Sequence, residues 1–279
     1  MKRLSHRNAR VGELRSLARQ RRARADAGLF VIEGPKLVAE ANSADVPLNA
    51  AFVDGDAIAG GSSTTLIDLI DRIEATGTDV FVVDSAVIER VSSTSSPQPV
   101  MAIARGQAAP IDELGADVNF VLLAVDVNDP GNLGTLIRSA VASGADAVVV
   151  AGQSVDVFNP KTVRSTAGAL FRVPVYVSKD ASTAVAALHD RGITCVGTSG
   201  RAAMACDAAD LTKRLAIVMG SEAHGLSAEV EALMDELVLI PMPGPVESLN
   251  VAMAAAILCY ETQRQRRSEI GPSGLDSAP

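Results

Sequence analysis

The stretch Phe120-Val-Leu-Leu-Ala-Val-Asp-Val-Asn-Asp-Pro-Gly-Asn-Leu-Gly-Thr-Leu-Ile-Arg-Ser-Ala-Val141 decides the fold. Its first six residues are all apolar, as expected of a strand buried on both faces of a mostly parallel sheet. A turn rich in Gly, Asn and Pro follows. Leu133, Leu136, Ile137, Ala140 and Val141 then recur at the spacing of an amphipathic helix. Asn132 reads as its N-cap and Gly144 as its C′ residue. Arg138 lies beside the apolar stripe, one turn after Gly134. From there it can reach back to the carboxyl edge of the sheet, where α/β folds bind ligands.

The pattern repeats outward from this unit. Ala147–Val150, Val173–Val177, Ile193–Val196, Leu215–Met219 and Leu237–Ile240 read as further buried strands separated by helices. Upstream, Leu29–Ile32, Ala51–Val53, Val80–Val83 and Val100–Ile103 read as strands. Helices are expected at Lys36–Asn42, with Pro35 at its first position, and around Ser63–Ile73 and Ser85–Val91. The expectation is an α/β protein in five parts: a basic arm (1–27), a small α/β domain (28–107), a linker (108–117), a larger α/β domain (118–267) and a loose tail (268–279).

Composition agrees with this division. A chain of 279 residues has the length of two domains. With 48% hydrophobic residues it is too apolar to be disordered, and with 3% aromatics it packs on Ala and Val rather than as an all-β sandwich. Its longest wholly apolar run, Val251–Tyr260, is too short to span a bilayer. Three cysteines without a CxxC pair, and no apolar stretch behind the basic N-terminus, fit a reduced, cytoplasmic compartment. Three scattered histidines argue against a zinc site or other metal centre. The net charge of −8 hides an asymmetry: the first 25 residues hold nine Lys/Arg against one acid. An acidic body with a basic arm points to a nucleic-acid or other acidic partner, or to a merely solvated helix.

Two more strand ends carry unusual residues. Ile217-Val-Met-Gly-Ser-Glu-Ala-His-Gly-Leu-Ser227 leaves Glu222 at the mouth of a buried strand, where a carboxylate serves structure poorly. Ser227 caps the next helix, and His224 is a weak candidate base in an exposed loop. Leu239-Ile-Pro-Met-Pro-Gly-Pro-Val-Glu-Ser-Leu-Asn-Val251 is a Pro-fixed loop before an Ala-rich helix opened by Ser248, suited to walling a narrow pocket. Nucleotide-binding alternatives fail at the residue level. Gly131-x-x-Gly134 is not a dinucleotide fingerprint, and no Gly-Lys-Ser/Thr follows.

Asn132, Gly134 and Arg138; Gly220, Ser221, Glu222 and Gly225; and Ile240, Pro241, Met242 with Ser248–Val251 occur in the order of three family motifs. Together they resemble those of the SpoU/TrmH family of RNA 2′-O-ribose methyltransferases, of the SPOUT class. Arg164–Pro174 resembles the family's R-x-S-x-G-A segment. Phe30–Glu40 resembles its L30e-like RNA-binding domain. The resemblance implies a deep trefoil knot in the C-terminal domain, a homodimer through that domain, and S-adenosylmethionine held by Gly220, Ile240 and Leu249. It implies an RNA substrate, ribosomal RNA (23S) ahead of tRNA, with a catalytically inactive RNA-binding member as the rival reading. Arg138 is the implied catalytic residue. A guanidinium keeps its proton, so gripping the phosphate beside the target ribose suits it better than acting as base. Glu222 is expected to orient Arg138 or take the proton. Ser248 and Asn250 would bond the ribose or the cofactor carboxylate, and Asn132 the loop or the substrate. Arg164 is a second phosphate-binding candidate, serving a site on its own or a neighbouring protomer. Arg7, Arg10, Arg15, Arg19, Arg21 and Arg22 of the basic arm complete the expected RNA contacts.

Overall fold

The computed structural model describes residues 1–60, 64–245 and 248–270, which fall into two compact units. The N-terminal unit comprises Met1–Gln107 together with Asp156–Arg172. The C-terminal unit comprises Ala108–Val155 and the chain from Val173 onward.

In the N-terminal unit the chain forms β1 (Lys2–Arg3), α1 (Ala9–Arg19), α2 (Arg21–Ala27), β2 (Leu29–Glu33), α3 (Pro35–Ser43), β3 (Leu48–Asp54), α4 (Gly55–Ala59), α5 (Thr64–Ala75), β4 (Val80–Val83), α6 (Ser85–Val91) and β5 (Val100–Arg105). The strands make a mixed sheet in the order β1-β4-β3-β5-β2. Residues 1–27, expected as a separate arm, are built into this unit. Lys2 and Arg3 pair in parallel with Phe81 and Val82, and Val11, Leu14 and Leu17 of α1 are buried in a core with Phe52, Ile88 and Ile103. Three apolar residues at helical spacing thus anchor a segment whose charge suggested a free arm.

The C-terminal unit contains β6 (Ala109–Pro110), β7 (Phe120–Val125), α7 (Pro130–Ala142) and β8 (Ala147–Ala151). After α8 (Pro160–Ser165), which lies in the N-terminal unit, come β9 (Val175–Ser178), α9 (Ala181–His189), β10 (Thr194–Thr198), β11 (Met204–Ala205), β12 (Leu215–Met219), α10 (Ala228–Glu231), β13 (Glu236–Leu239) and α11 (Val251–Ile270). The eight strands are all parallel, in the order β11-β13-β10-β12-β7-β8-β9-β6. The central strands β7, β8 and β12 are buried at every position, which is why they read as unbroken apolar runs. From β12 the chain runs out to β13, beyond β10, and returns so that α11 packs on α7 and β12. Part of the expected linker is β6, paired with β9. The expected tail is helical through Ile270, and 271–279 lie outside the described residues.

The segment 156–172 belongs in sequence to the expected C-terminal domain but packs as part of the N-terminal unit. Arg24, 6% exposed, donates to Asp156 through Nε at 2.8 Å and Nη2 at 2.5 Å, and to the Leu17 carbonyl at 2.7 Å. Arg172 pairs with Glu40 at 3.1 Å. Phe30 packs against Phe158 and Phe171, with ring centroids 4.8 and 6.4 Å apart. Gly168 lies at φ +96°, and a side chain there would press on Glu40 at 3.1 Å, so this turn demands glycine.

Candidate active site

Three loops at the carboxyl ends of β7, β12 and β13 bring the motif residues together. The first begins at Asp126 and leads into α7. Its N-cap is Asp129, not Asn132: Asp129 Oδ1 accepts the Asn132 N–H at 2.8 Å, and Pro130 takes the first helical position. That frees the Asn132 side chain for longer-range contacts. Gly144, at φ +73°, follows the helix as expected.

The second loop is a tight turn. Ser221 and Gly225 exchange backbone hydrogen bonds of 3.0 Å, and a Cβ on Gly220 would lie 2.1 Å from the Gly225 carbonyl carbon. Glycine at 220 is therefore required by backbone proximity. The turn presents Glu222, whose Oε1 accepts from the Asp129 N–H and from Asn132 Nδ2, both at 3.0 Å. Its Oε2 accepts from the Asn128 N–H at 3.3 Å. Partial burial works to raise the Glu222 pKa. The donors from Asn132, its own backbone, Asp129 and Asn128 outweigh it and leave the group below the ordinary carboxylate value. Three donors from the first loop thus hold the Glu222 carboxylate. The expected contact from Glu222 to Arg138 is replaced by these donors.

The third loop ends at Asn250, which caps α11 in place of Ser248. Its Oδ1 accepts the Ala252 N–H at 2.9 Å and the Met253 N–H at 3.4 Å. Its Nδ2 donates to Asn132 Oδ1 at 3.0 Å. A continuous chain, Glu222–Asn132–Asn250, thus ties the three motifs together. Val246 and Glu247 of this loop lie outside the described residues.

Arg138 stands on the exposed side of α7 and has no hydrogen-bond or ion-pair partner among the described residues. Next to the three loops is a cleft lined by Thr198 at the end of β10 and Ser199 after it, by Val238 to Ile240, by Met242, and by Ser248, Leu249 and Ala254. Ile240 and Leu249, two of the expected cofactor positions, are on its wall with Ser248. Gly220 is not among the lining residues; it shapes the neighbouring turn. An apolar slot with a few hydroxyls and strand-end backbone groups fits a purine nucleoside with a polar tail.

The other expected residues divide sharply. Arg164, half-buried, is held inside the N-terminal unit by Ser93 Oγ at 2.9 Å and Glu33 at 3.8 Å. Arg10 pairs with Glu13 and Arg22 with Asp26. Arg19 donates to the Arg90 carbonyl at 2.8 Å. Arg7, Arg15 and Arg21 have no such partner among the described residues. His224 is exposed, with only its backbone N–H bonded, to Ser221 Oγ. Charge and composition do not single out Arg24, Glu33 or Asp156. The signal available was Glu33 itself, an acid closing an apolar strand and only 5% exposed. Elsewhere in the C-terminal unit Asp235 Oδ2 lies 2.9 Å from His189 Nε2 and accepts the Cys195 N–H at 2.7 Å. Burial, with Asp235 adding to it, pushes the Cys195 thiol up to about 12, so this cluster serves as a hydrogen-bonded anchor for the turn before β13.

Comparison with known proteins matches residues 119–260 to the SpoU rRNA Methylase family and residues 8–102 to the MRM3-like substrate binding domain. The chain is 32% identical over 273 residues to the 23S rRNA (uridine(2479)-2′-O)-methyltransferase of Streptomyces viridochromogenes, covering 96% of this chain and 93% of that protein. It is 33% identical to the 23S rRNA (guanosine(2553)-2′-O)-methyltransferase RlmP of Bacillus subtilis, covering 92% and 96%. Among solved structures, the SpoU methyltransferase AviRb from Streptomyces viridochromogenes in complex with the cofactor AdoMet superposes with a TM-score of 0.83. The identity is 30%, over 93% of this chain and 98% of that one.

Proposed function

The chain belongs to the SpoU rRNA methylase family, and on that premise we propose that it transfers a methyl group from S-adenosylmethionine to a ribose 2′-oxygen of ribosomal RNA, in the 23S molecule. The observation that carries this reading is the Glu222–Asn132–Asn250 chain, which fixes three strand-end loops around the apolar cleft while leaving Arg138 unpaired. S-adenosylmethionine supplies the electrophilic methyl when bound, and Ile240, Leu249, Ser248 and neighbouring backbone groups would hold it.

The protein's own residues then have distinct tasks. Arg138, always charged, offers a planar fork of donors to the phosphate beside the target ribose and so fixes the hydroxyl in line. Asn132 and Asn250 immobilise each other. Glu222, itself saturated, holds the backbone of Asn128 and Asp129 so that α7 presents Arg138 at a constant place. No side-chain rearrangement is then needed when the substrate docks.

The reading extends to an L30e-like N-terminal domain, a knotted C-terminal domain and a homodimer acting in the cytoplasm. Support for the dimer comes from α11, where Met253, Ile257 and Tyr260 expose 62%, 40% and 61% of their surface along one face. An apolar stripe of this kind suits a second copy of the same helix. No helix among the described residues is long and apolar enough to cross a membrane.

The test is methyl transfer from labelled S-adenosylmethionine to in vitro transcribed 23S rRNA, with a tRNA pool as comparison, followed by mapping of the 2′-O-methyl position. Incorporation at one ribose of 23S rRNA is the expected result. Preferential labelling of tRNA, or none of either RNA, defeats the reading.

A further inference from the structure

The N-terminal unit carries a surface whose chemistry differs from the rest of its basic residues. Helix α1 packs against α6, and the two carboxyl-terminal ends meet where Arg19 Nη2 donates to the Arg90 carbonyl at 2.8 Å. Both guanidiniums are exposed, and neither has an acidic partner among the described residues. The arginine side chain closing α6 makes no hydrogen bond or ion pair among the described residues, and Arg19 retains most of its donors after the single bond to that carbonyl.

Directly after α6 the chain runs Ser92-Ser93-Thr94-Ser95-Ser96, five consecutive hydroxyl residues. Ser92 Oγ donates to buried Glu33, and its oxygen accepts the Thr94 N–H at 3.1 Å. Thr94 Oγ1 in turn accepts the Ser96 N–H at 3.2 Å. These bonds fold the loop on itself and leave Ser95 and Ser96 exposed. Ser93 Oγ accepts from Arg164 at 2.9 Å. Arg90 thus closes the helix that leads into this hydroxyl-rich loop, Arg19 bonds the Arg90 carbonyl, and Arg164 bonds the loop at Ser93. The carboxylates in reach are Glu33, beneath Arg164 at 3.8 Å, and the exposed Glu89 beside Arg90.

Elsewhere in the same basic region three arginines are neutralised locally, while Arg7, Arg15 and Arg21 have no ion-pair partner among the described residues. Arg10 pairs with Glu13, Arg22 with Asp26, and Arg24 with Asp156. Net charge in residues 1–25 therefore does not locate a binding surface, whereas unpaired guanidiniums beside hydroxyls do. Forked cations interspersed with hydroxyl groups suit successive phosphates and ribose hydroxyls of RNA.

Resting on the reading above that the substrate is RNA, we propose that Arg19 and Arg90, at the start of the Ser92–Ser96 loop, form the surface on which the N-terminal unit holds the RNA phosphodiester backbone, with Arg164 fixing the loop through Ser93. Each phosphate contact releases counterions, so its loss makes the plot of log affinity against log salt shallower by roughly 0.7–0.9.

The experiment measures binding of the full chain to in vitro transcribed 23S rRNA across a salt series, for the unaltered protein, R90Q, R19Q/R90Q, R19K/R90K and R10Q/R22Q. R90Q should be shallower by roughly 0.7–0.9 and R19Q/R90Q by about twice that. R19K/R90K should keep the slope, and R10Q/R22Q should change it by less than R90Q does. Because the exposed Arg90 side chain has no hydrogen bond or ion pair among the described residues, R90Q keeps the test valid even if R19Q/R90Q unfolds. Unaltered slopes for R90Q, or an equal drop in R10Q/R22Q, overturn this proposal alone. Failure of the unaltered chain to bind or methylate the RNA overturns it together with the reading it rests on.

Discussion

The two units treat their arginines in opposite ways. In the N-terminal unit acids fix several of them: Arg24 on Asp156, Arg164 on Glu33, Arg172 on Glu40. In the C-terminal site amides and backbone N–H groups fix the acid, Glu222, and Arg138 is left without a partner. The first arrangement spends charge on holding a segment in place. The second keeps a full positive charge available for something outside the chain. Exposure, pairing and the identity of the partner therefore separate structural arginines from functional ones more sharply than position in a motif does.

The strongest way to break this contrast is Arg138→Ala. With no hydrogen bond or ion pair to lose among the described residues, the variant should keep its thermal midpoint and its affinity for S-adenosylmethionine. Single-turnover methyl transfer should fall about 10³-fold, equivalent to roughly 4 kcal/mol. Activity within tenfold of the parent would make Arg138 as dispensable as a solvated surface residue.

Arg24→Ala should do the reverse. Removing one partner of a buried pair strands Asp156 and costs about 3 kcal/mol of stability, visible as a lowered denaturation midpoint. Methyl transfer per folded molecule should change little at saturating RNA. A variant as stable as the parent would show that the pair is not what holds 156–172.

Glu222 sharpens the comparison from the other side. Glu222→Ala should lower transfer roughly tenfold to a hundredfold by releasing Asn128, Asp129 and Asn132. Glu222→Gln, which still accepts hydrogen bonds, should recover part of the loss. Equal loss in both variants would favour Glu222 as a proton acceptor. The depressed pKa gives a matching pH effect. Its stabilising contribution is complete above the ordinary carboxylate value and disappears as the pH falls through the lower folded-state value. The acid limb of parental unfolding should therefore flatten in Glu222→Gln, a small change read by melting curves between pH 5 and 3, a window of roughly two units.

The smallest expected effect concerns α11. Tyr260→Glu should leave the fold intact and shift sedimentation from dimer to monomer. A parental protein that is already monomeric would refute the dimer.

Much of this architecture is legible in the sequence. Buried parallel strands carry no polar alternation, so Phe120–Val125, Ala147–Val150 and Leu215–Met219 stand out as apolar runs, and each lies within an observed strand. The glycine-rich turns that end them were equally visible. What hid were pairings between distant residues. Arg24 and Asp156 lie 132 positions apart, and neither has a neighbour that betrays the other. In residues 1–27 nine basic side chains masked the spacing of Val11, Leu14 and Leu17, which decides that α1 is packed. Capping erred by a few residues for a similar reason. Asn132 and Asp129 are both good caps, and only the course of the chain through Pro130 selects the latter.

Interleaving of the two units sets a schedule for synthesis. The N-terminal unit needs Asp156, Phe158, Arg164 and Phe171 to complete its contacts, yet these leave the ribosome after β7, α7 and β8 have been made. Until then Arg24 has the Leu17 carbonyl but not Asp156, Glu33 has Ser92 but not Arg164, and Phe30 lacks the rings it packs on. The first unit therefore matures only when the second is well under way. A nascent chain arrested near residue 150 should be far more open to protease in its first 107 residues than one arrested beyond Arg172.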